Sequence, residues 1–219
     1  SSLNWLTINA AWVANTGTQY LVYHQQEQLD WTYETVDIYT WHWTTDTKVT
    51  PSVKSYSWFN SPISQEITIA WGGNTTLTYQ YSRKEITLTL NKNNDTPTII
   101  LTGKYGANVQ KPETNPSKTW YTFTWWLPSI PNTFPAISGT YIAQYRLDIY
   151  TITYNLNGGI NHVDNPSSYT YLSWDITLKE PTREDYIFSG WQWTGIDWIT
   201  KTVIITANST WHRTYTAIW

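Results

Sequence analysis

Cysteine is absent from this chain, which excludes a disulfide framework and any thiolate chemistry. Methionine is absent too, even at position 1, as expected for a piece of a longer protein. Charge is scarce: 13 Lys and Arg against 16 Asp and Glu leave a net charge of −3. Nucleic-acid binding needs a basic stripe or patch, and the longest basic run is Arg83-Lys84, read as a solvated strand edge. No apolar run approaches the roughly 20 residues of a membrane-spanning helix. No secretory signal is visible at the N-terminus, so a signal on a secreted parent would lie upstream. Ala and Leu are sparse and no segment sustains a 3.6-residue period, so the chain is expected to be mostly β with little helix.

What the chain does have is Thr, Ile, Tyr, Asn and Trp. β-Branched and aromatic residues suit a pleated, half-buried surface. Ile67-Thr68-Ile69 and Leu77-Thr78-Tyr79-Gln80-Tyr81 flank Gly72-Gly73-Asn74, the pattern of strand, turn, strand. Glu85–Leu90 and Tyr150–Leu156 alternate with period two. The second run stops at Asn157-Gly158-Gly159, residues that tolerate positive φ in a tight turn. Thr202–Thr206 and Tyr215–Trp219 read as two further strands.

The layout also repeats, with a period of roughly 65 to 70 residues, long enough for each unit to hold a small core. Residues 84–147 and 148–219 each open on an alternating strand and pass through a polar turn region. Each then approaches through a proline, Lys111-Pro112-Glu113 or Lys179-Glu180-Pro181. Thr119-Trp120-Tyr121-Thr122-Phe123-Thr124-Trp125-Trp126 aligns with Glu184-Asp185-Tyr186-Ile187-Phe188-Ser189-Gly190-Trp191. Residues 19–83 form a related but different unit. Residues 1–18 are read as a linker or the tail of a preceding unit.

The third unit carries a resemblance. Its Asn157-Gly158-Gly159 turn, its Pro181-Thr182-Arg183 run leading to Tyr186, Phe188 and Trp191, and its Ala217-Ile218-Trp219 ending resemble the Listeria–Bacteroides repeat, also called the internalin-type B repeat. The second unit resembles a weaker copy. The first is similar to a mucin-binding-protein-like (MucBP) repeat, on Lys48-Val49-Thr50-Pro51, Tyr56, Phe59 and Leu77-Thr78-Tyr79-Gln80-Tyr81. These resemblances imply tandem small β-grasp-like (ubiquitin-like) units in an elongated array. They also imply a bacterial cell-surface or secreted parent and a role as adhesin spacer and contact module. The partner implied is an unidentified protein or glycan on a host or neighbouring cell.

Sixteen residues are Trp, and many stand where a glycine would be natural. Trp125 aligns with Gly190, and Trp120 stands where the family has Gly before Tyr-x-Phe. Trp31, Trp41 and Trp43 fall in contexts read as loops, and Trp58, Trp71, Trp174, Trp193, Trp198 and Trp211 are similar. Only Trp126, Trp191 and Trp219 fall where the family has Trp. Some bacterial lineages read UGA as glycine, and a translation table reading UGA as tryptophan produces this pattern. Independently of the codon, turn positions with positive φ suit Gly, and a bulky residue there is strained. The alternative is a natural Trp-rich protein, a carbohydrate-binding module stacking sugars on exposed indoles.

Chemistry-bearing groupings are missing. His24, His42, His162 and His212 lack metal-ligand spacing and are read as incidental. No nucleophile-elbow, zinc-protease or phosphate-loop motif occurs. Asn91-Lys92-Asn93-Asn94-Asp95 is faintly like a calcium loop but lacks its Gly and distal Glu, and is read as an Asx-rich turn. The expectation is no catalytic residue, no cofactor, no metal, and no membrane insertion by this segment. Tyr121, Phe123 and Trp126, and likewise Tyr186, Phe188, Trp191 and Trp219, are assigned as core aromatics, Tyr186 and Phe188 alternating in one strand.

Overall fold

The computed structural model describes residues 9–193 and 198–219. The part of the 1–18 linker expectation that falls on residues 1–8 lies outside the described residues. No helix occurs among the described residues, hence none long and apolar enough to cross a membrane. The chain forms two compact units. Of the described residues, one takes in those of Ser1–Thr89, Ile100–Lys111 and Pro131–Thr140, and the other takes in Leu90–Ile99, Pro112–Ile130 and Tyr141–Trp219.

Three four-stranded sheets follow one another along the sequence. The first uses β1 (Thr18–Glu27), β2 (Tyr33–Trp43), β4 (Phe59–Asn60) and β6 (Thr75–Arg83), in the order β2-β1-β6-β4. β3 (Lys48–Val49) and β5 (Ile67–Thr68) pair separately as a short antiparallel ribbon. β1 runs parallel to β6 at the centre and antiparallel to β2, while β4 runs antiparallel to β6. A parallel central pair needs a crossover, and the segment between β2 and β6, ribbon included, supplies it. This is the strand order of a β-grasp sheet, with ribbon and loops where that fold usually packs a helix.

The second sheet repeats the order as β8-β7-β10-β9, from β7 (Glu85–Asn91), β8 (Ile99–Lys104), β9 (Tyr121–Leu127) and β10 (Gly139–Leu147). Where the first repeat has its ribbon, an Asn108–Thr133 bridge stands, with Val109 N–H donating to Asn132 and Phe134 N–H to Ala107. The third sheet, β12-β11-β16-β14, uses β11 (Ile149–Asn155), β12 (Ser168–Thr170), β14 (Gly190–Trp193) and β16 (Arg213–Ile218). Its ribbon pairs β13 (Ile176–Thr177) with β15 (Ile204–Ile205). The all-β, tandem-repeat expectation therefore stands.

Alternation explains which face is inward. In β1, Tyr20, Val22 and His24 are buried, and in β6, Leu77, Tyr79 and Tyr81 are. Tyr20, Val22, Ile69, Leu77, Tyr79 and Tyr81 form the first core, onto which Tyr39, Tyr56 and Phe59 pack. Ile86, Leu88 and Leu90 are the buried set of β7. The third core gathers Ile152, Tyr169, Leu178, Phe188, Trp191, Val203, Ile205, Tyr215 and Ala217. A one-residue slip in any of these strands would turn its apolar set outward.

Several expectations need correction. Trp41 and Trp43 lie within β2, not in a loop, because Thr18–Glu27 offers a pairing partner through to Trp43. Residues 186–188 are not a strand. β14 begins at Gly190, and Tyr186 is 54% exposed, outside the core, its ring lying under the Arg183 guanidinium at 3.6 Å. Phe188 and Trp191 are buried, and Trp219 packs against them.

Candidate functional site

A polar cluster sits at the first core. His24 is buried, which corrects its reading as incidental. Its Nδ1 lies 2.8 Å from the Tyr81 hydroxyl, which in turn accepts the Lys54 backbone N–H at 2.9 Å. Lys54 Nζ pairs with Asp37 at 3.1 Å and bonds to Tyr39, and the Tyr56 hydroxyl donates to Asp37. Burial, then the Lys54 charge, pushes His24 below its ordinary range, so it is neutral near pH 7. Bonds from Tyr56 and Lys54 hold Asp37 low. Bonds to Tyr39 and Asp37 hold Lys54 high against its partial desolvation. The cavity against this cluster is only about 100 Å³, small beside ordinary ligand pockets. His24 Nδ1, Tyr81, Lys54, Tyr39, Tyr56 and Asp37 are bonded to one another, as suits a cluster that specifies a core.

A second cluster spans the first and second repeats. Glu27, buried at the end of β1, accepts the Arg83 backbone N–H at 2.8 Å and pairs with Lys104. Arg83 Nε donates to the Glu27 carbonyl and Nη1 to the Tyr105 carbonyl. Arg83 is thus half-buried and structural, not the solvated edge expected. Burial pushes Glu27 up, but the Lys104 bond, the Arg83 amide and both cationic charges outweigh it and hold the carboxyl low. The Trp31 ring lies 3.7 Å from Lys104 Nζ.

The aromatic motifs share one register. Trp126 faces Ala143 and Trp125 faces Gln144, while Trp191 faces Ala217 and Gly190 faces Ile218. Trp191 is surrounded by Tyr154, Phe188 and Tyr215. In the second repeat, Phe123 lies between Trp126 and Tyr145, and Tyr121 is half-buried. The Asn157-Gly158-Gly159 turn carries φ of 47° and 89° at its first two residues. Gly159 N–H closes it onto the Leu156 carbonyl, which also accepts Trp219 Nε1 at 3.0 Å. A Cβ on Gly159 would stand 2.3 Å from the Trp219 ring.

The turn before the aromatic motif recurs in all three repeats. Phe59 N–H donates to Tyr56 at 3.3 Å, Tyr121 to Lys118 at 3.0 Å and Tyr186 to Arg183 at 3.2 Å. The third residue of each turn has positive φ: Trp58 at 69°, Trp120 at 64° and Asp185 at 61°. The Trp58 carbonyl accepts Lys84 N–H, and the Trp120 carbonyl accepts Asp148 N–H, each at 2.9 Å. Trp58 lies against Tyr105, and Trp120 stacks on Tyr171. Trp31 closes the β1–β2 hairpin with φ of 70°.

Ten of the eleven tryptophans at suspected glycine positions are exposed: Trp31, Trp41, Trp43, Trp58, Trp71, Trp120, Trp125, Trp174, Trp198 and Trp211. Trp193 is the exception, half-buried in β14 against Tyr215. A cleft of about 280 Å³ is lined by Lys92, Asn94, Thr114, Asn115, Ser117 and Trp126. Asn94 Oδ1 accepts the Thr96 N–H and hydroxyl, as an Asx turn requires, and its Nδ2 donates to the Ser117 carbonyl, 23 residues away in sequence. Among the described residues, no group of three His, Cys, Asp or Glu could hold a metal ion.

Compared with known proteins, residues 85–131 and 150–210 match the family model of the Listeria-Bacteroides repeat domain. The first repeat has no family match. No curated protein matches the chain.

Proposed function

With Listeria-Bacteroides repeat domains at residues 85–131 and 150–210, a kind of repeat that occurs in bacterial surface proteins, we propose that this chain is a non-catalytic segment of a bacterial cell-surface or secreted protein. It serves as an adhesin spacer and as a contact module for a protein or glycan on a host or neighbouring cell. The observation that carries the reading is one sheet order built three times, β2-β1-β6-β4, β8-β7-β10-β9 and β12-β11-β16-β14. Repetition of a small self-contained unit suits reach and multivalent contact. Catalysis instead needs convergent groups in a cleft, and the side chains of the two polar clusters bond chiefly to one another. On this reading the first repeat is a MucBP-like relative of the other two, its own core resting on Tyr79 and Tyr81.

A second reading draws on the exposed indoles, of which Trp174 is 88% and Trp71 83% accessible. A carbohydrate-binding module would use such faces to stack on sugar rings. Binding of the purified chain to immobilised mucin, before and after enzymatic removal of its glycans, decides between them. Retention on the deglycosylated mucin is the expected result for a protein contact. Binding that follows the glycans and vanishes on Trp→Ala changes at Trp71 and Trp174 favours the sugar module. Absence of binding to mucin and to a panel of matrix proteins and glycans would count against any contact role.

A further inference from the structure

The backbone separates three tryptophans from the rest. Among the described residues, nine non-glycine positions have positive φ. Six are Asp46, Asn93, Asp95, Asn157, Asp185 and Asn208. Asn and Asp are the side chains that visit this region readily, through local hydrogen bonds. The other three are Trp31, Trp58 and Trp120. None of the 17 Tyr or four Phe joins them, so bulk and aromaticity do not draw a residue into this conformation. The sites themselves require it.

Each site is a tight turn closed by a backbone bond. Trp58 and Trp120 hold the third place of a turn that recurs in the third repeat with Asp185. A positive φ at that place calls for Gly or Asn-like residues. Trp31 donates its N–H to Gln28 within the loop joining β1 to β2. None of the three rings enters a core; all are exposed. The three tryptophans that fall where the family has Trp behave oppositely: Trp191 is fully buried, and Trp126 and Trp219 are half-buried and packed on Phe123 and Phe188.

We infer that the residue occupying positions 31, 58 and 120 in the native protein is glycine. The codon there is one that the producing cell decodes as glycine. The repeats then share one Gly/Asx turn, whose carbonyl at positions 58 and 120 takes the amide of Lys84 or Asp148 at the start of the next repeat. The indole contacts with Lys104, Tyr105 and Tyr171 are then no part of the native molecule. The repeat-to-repeat joints rest on these backbone bonds and, between the first and second repeats, on Glu27 with Lys104 and Arg83.

Peptide masses of the protein isolated from its own cells test this directly. Glycine at positions 58 and 120 is the expected result, and tryptophan at either overturns the inference. Recombinant protein made with tryptophan gives an independent reading. Trp58→Gly and Trp120→Gly should each raise Tm by about 2–4 °C through relief of left-handed strain. Trp126→Gly, made as a control in the packed position, should lower it. A fall in Tm for both turn variants would show that the rings hold the joints, against the inference.

Discussion

Replacing Trp191 with alanine is expected to cost about 3–5 kcal/mol, the range for a large aromatic removed from a well-packed core. Trp191 is 0% exposed and fills the space between Tyr154, Phe188 and Tyr215, with ring centroids 5.3–6.3 Å away. Its strand is short, and neighbours on β14 and β16 cannot collapse into the void without breaking the Trp191–Ala217 register. Chemical denaturation followed by tryptophan fluorescence gives the loss. Trp191→Phe, which keeps most of the apolar contact, should lose far less. An unchanged midpoint in Trp191→Ala would remove this residue from the core.

The second large effect is expected one residue earlier. Gly190→Ala should destabilise by at least about 3 kcal/mol, because crowding and backbone strain add. The added Cβ would stand 2.5 Å from Ile199 Cγ2 and 2.8–2.9 Å from the Thr200 backbone, at a φ of 151°. Thr200 cannot yield freely, since it exchanges two backbone hydrogen bonds with Trp191 at 2.8 and 3.1 Å. Denaturant titration reads the loss, and a midpoint equal to that of the parent chain would contradict the close approach.

These two residues also show how much was legible in the sequence. Gly190 and Trp191 stand in a motif with fixed spacing, so their importance could be read from the third unit alone. Strands with a full period-two stretch, such as β6, β7 and β11, were readable for the same reason: one face had to be apolar. Of the two-residue ribbon strands, β5 and β15 fall inside runs that read as strands, whereas β3 and β13 were not readable, because two residues carry no period. His24 and Glu27 were missed because their partners lie far away in sequence, Tyr81 by 57 residues and Lys104 by 77. A buried charge or imidazole is announced only by the groups that satisfy it, and these meet when the chain folds. Arg83 was misread for the same reason. Tyr186 alternates with Phe188 and so reads as the same inward face of one strand, but Asp185, at a φ of 61°, turns the chain and leaves the ring outside under Arg183.

Trp41 and Trp43 make a further point. Their surroundings suggested a loop, yet an 11-residue β2 pairs with β1 through both positions. Composition around a residue is weaker than the availability of a pairing partner, which is why edge strands are hard to bound from local sequence. Among the suspected positions in the described residues, only Trp31, Trp58 and Trp120 combine a turn with positive φ.

We propose that these repeats are displayed outside a bacterial cell and make contact there. Antibody Fab fragments raised against the chain should label intact, unpermeabilised cells of the source organism and block their attachment to a target surface. Labelling that requires permeabilisation, with attachment unaffected by the Fab, would contradict it.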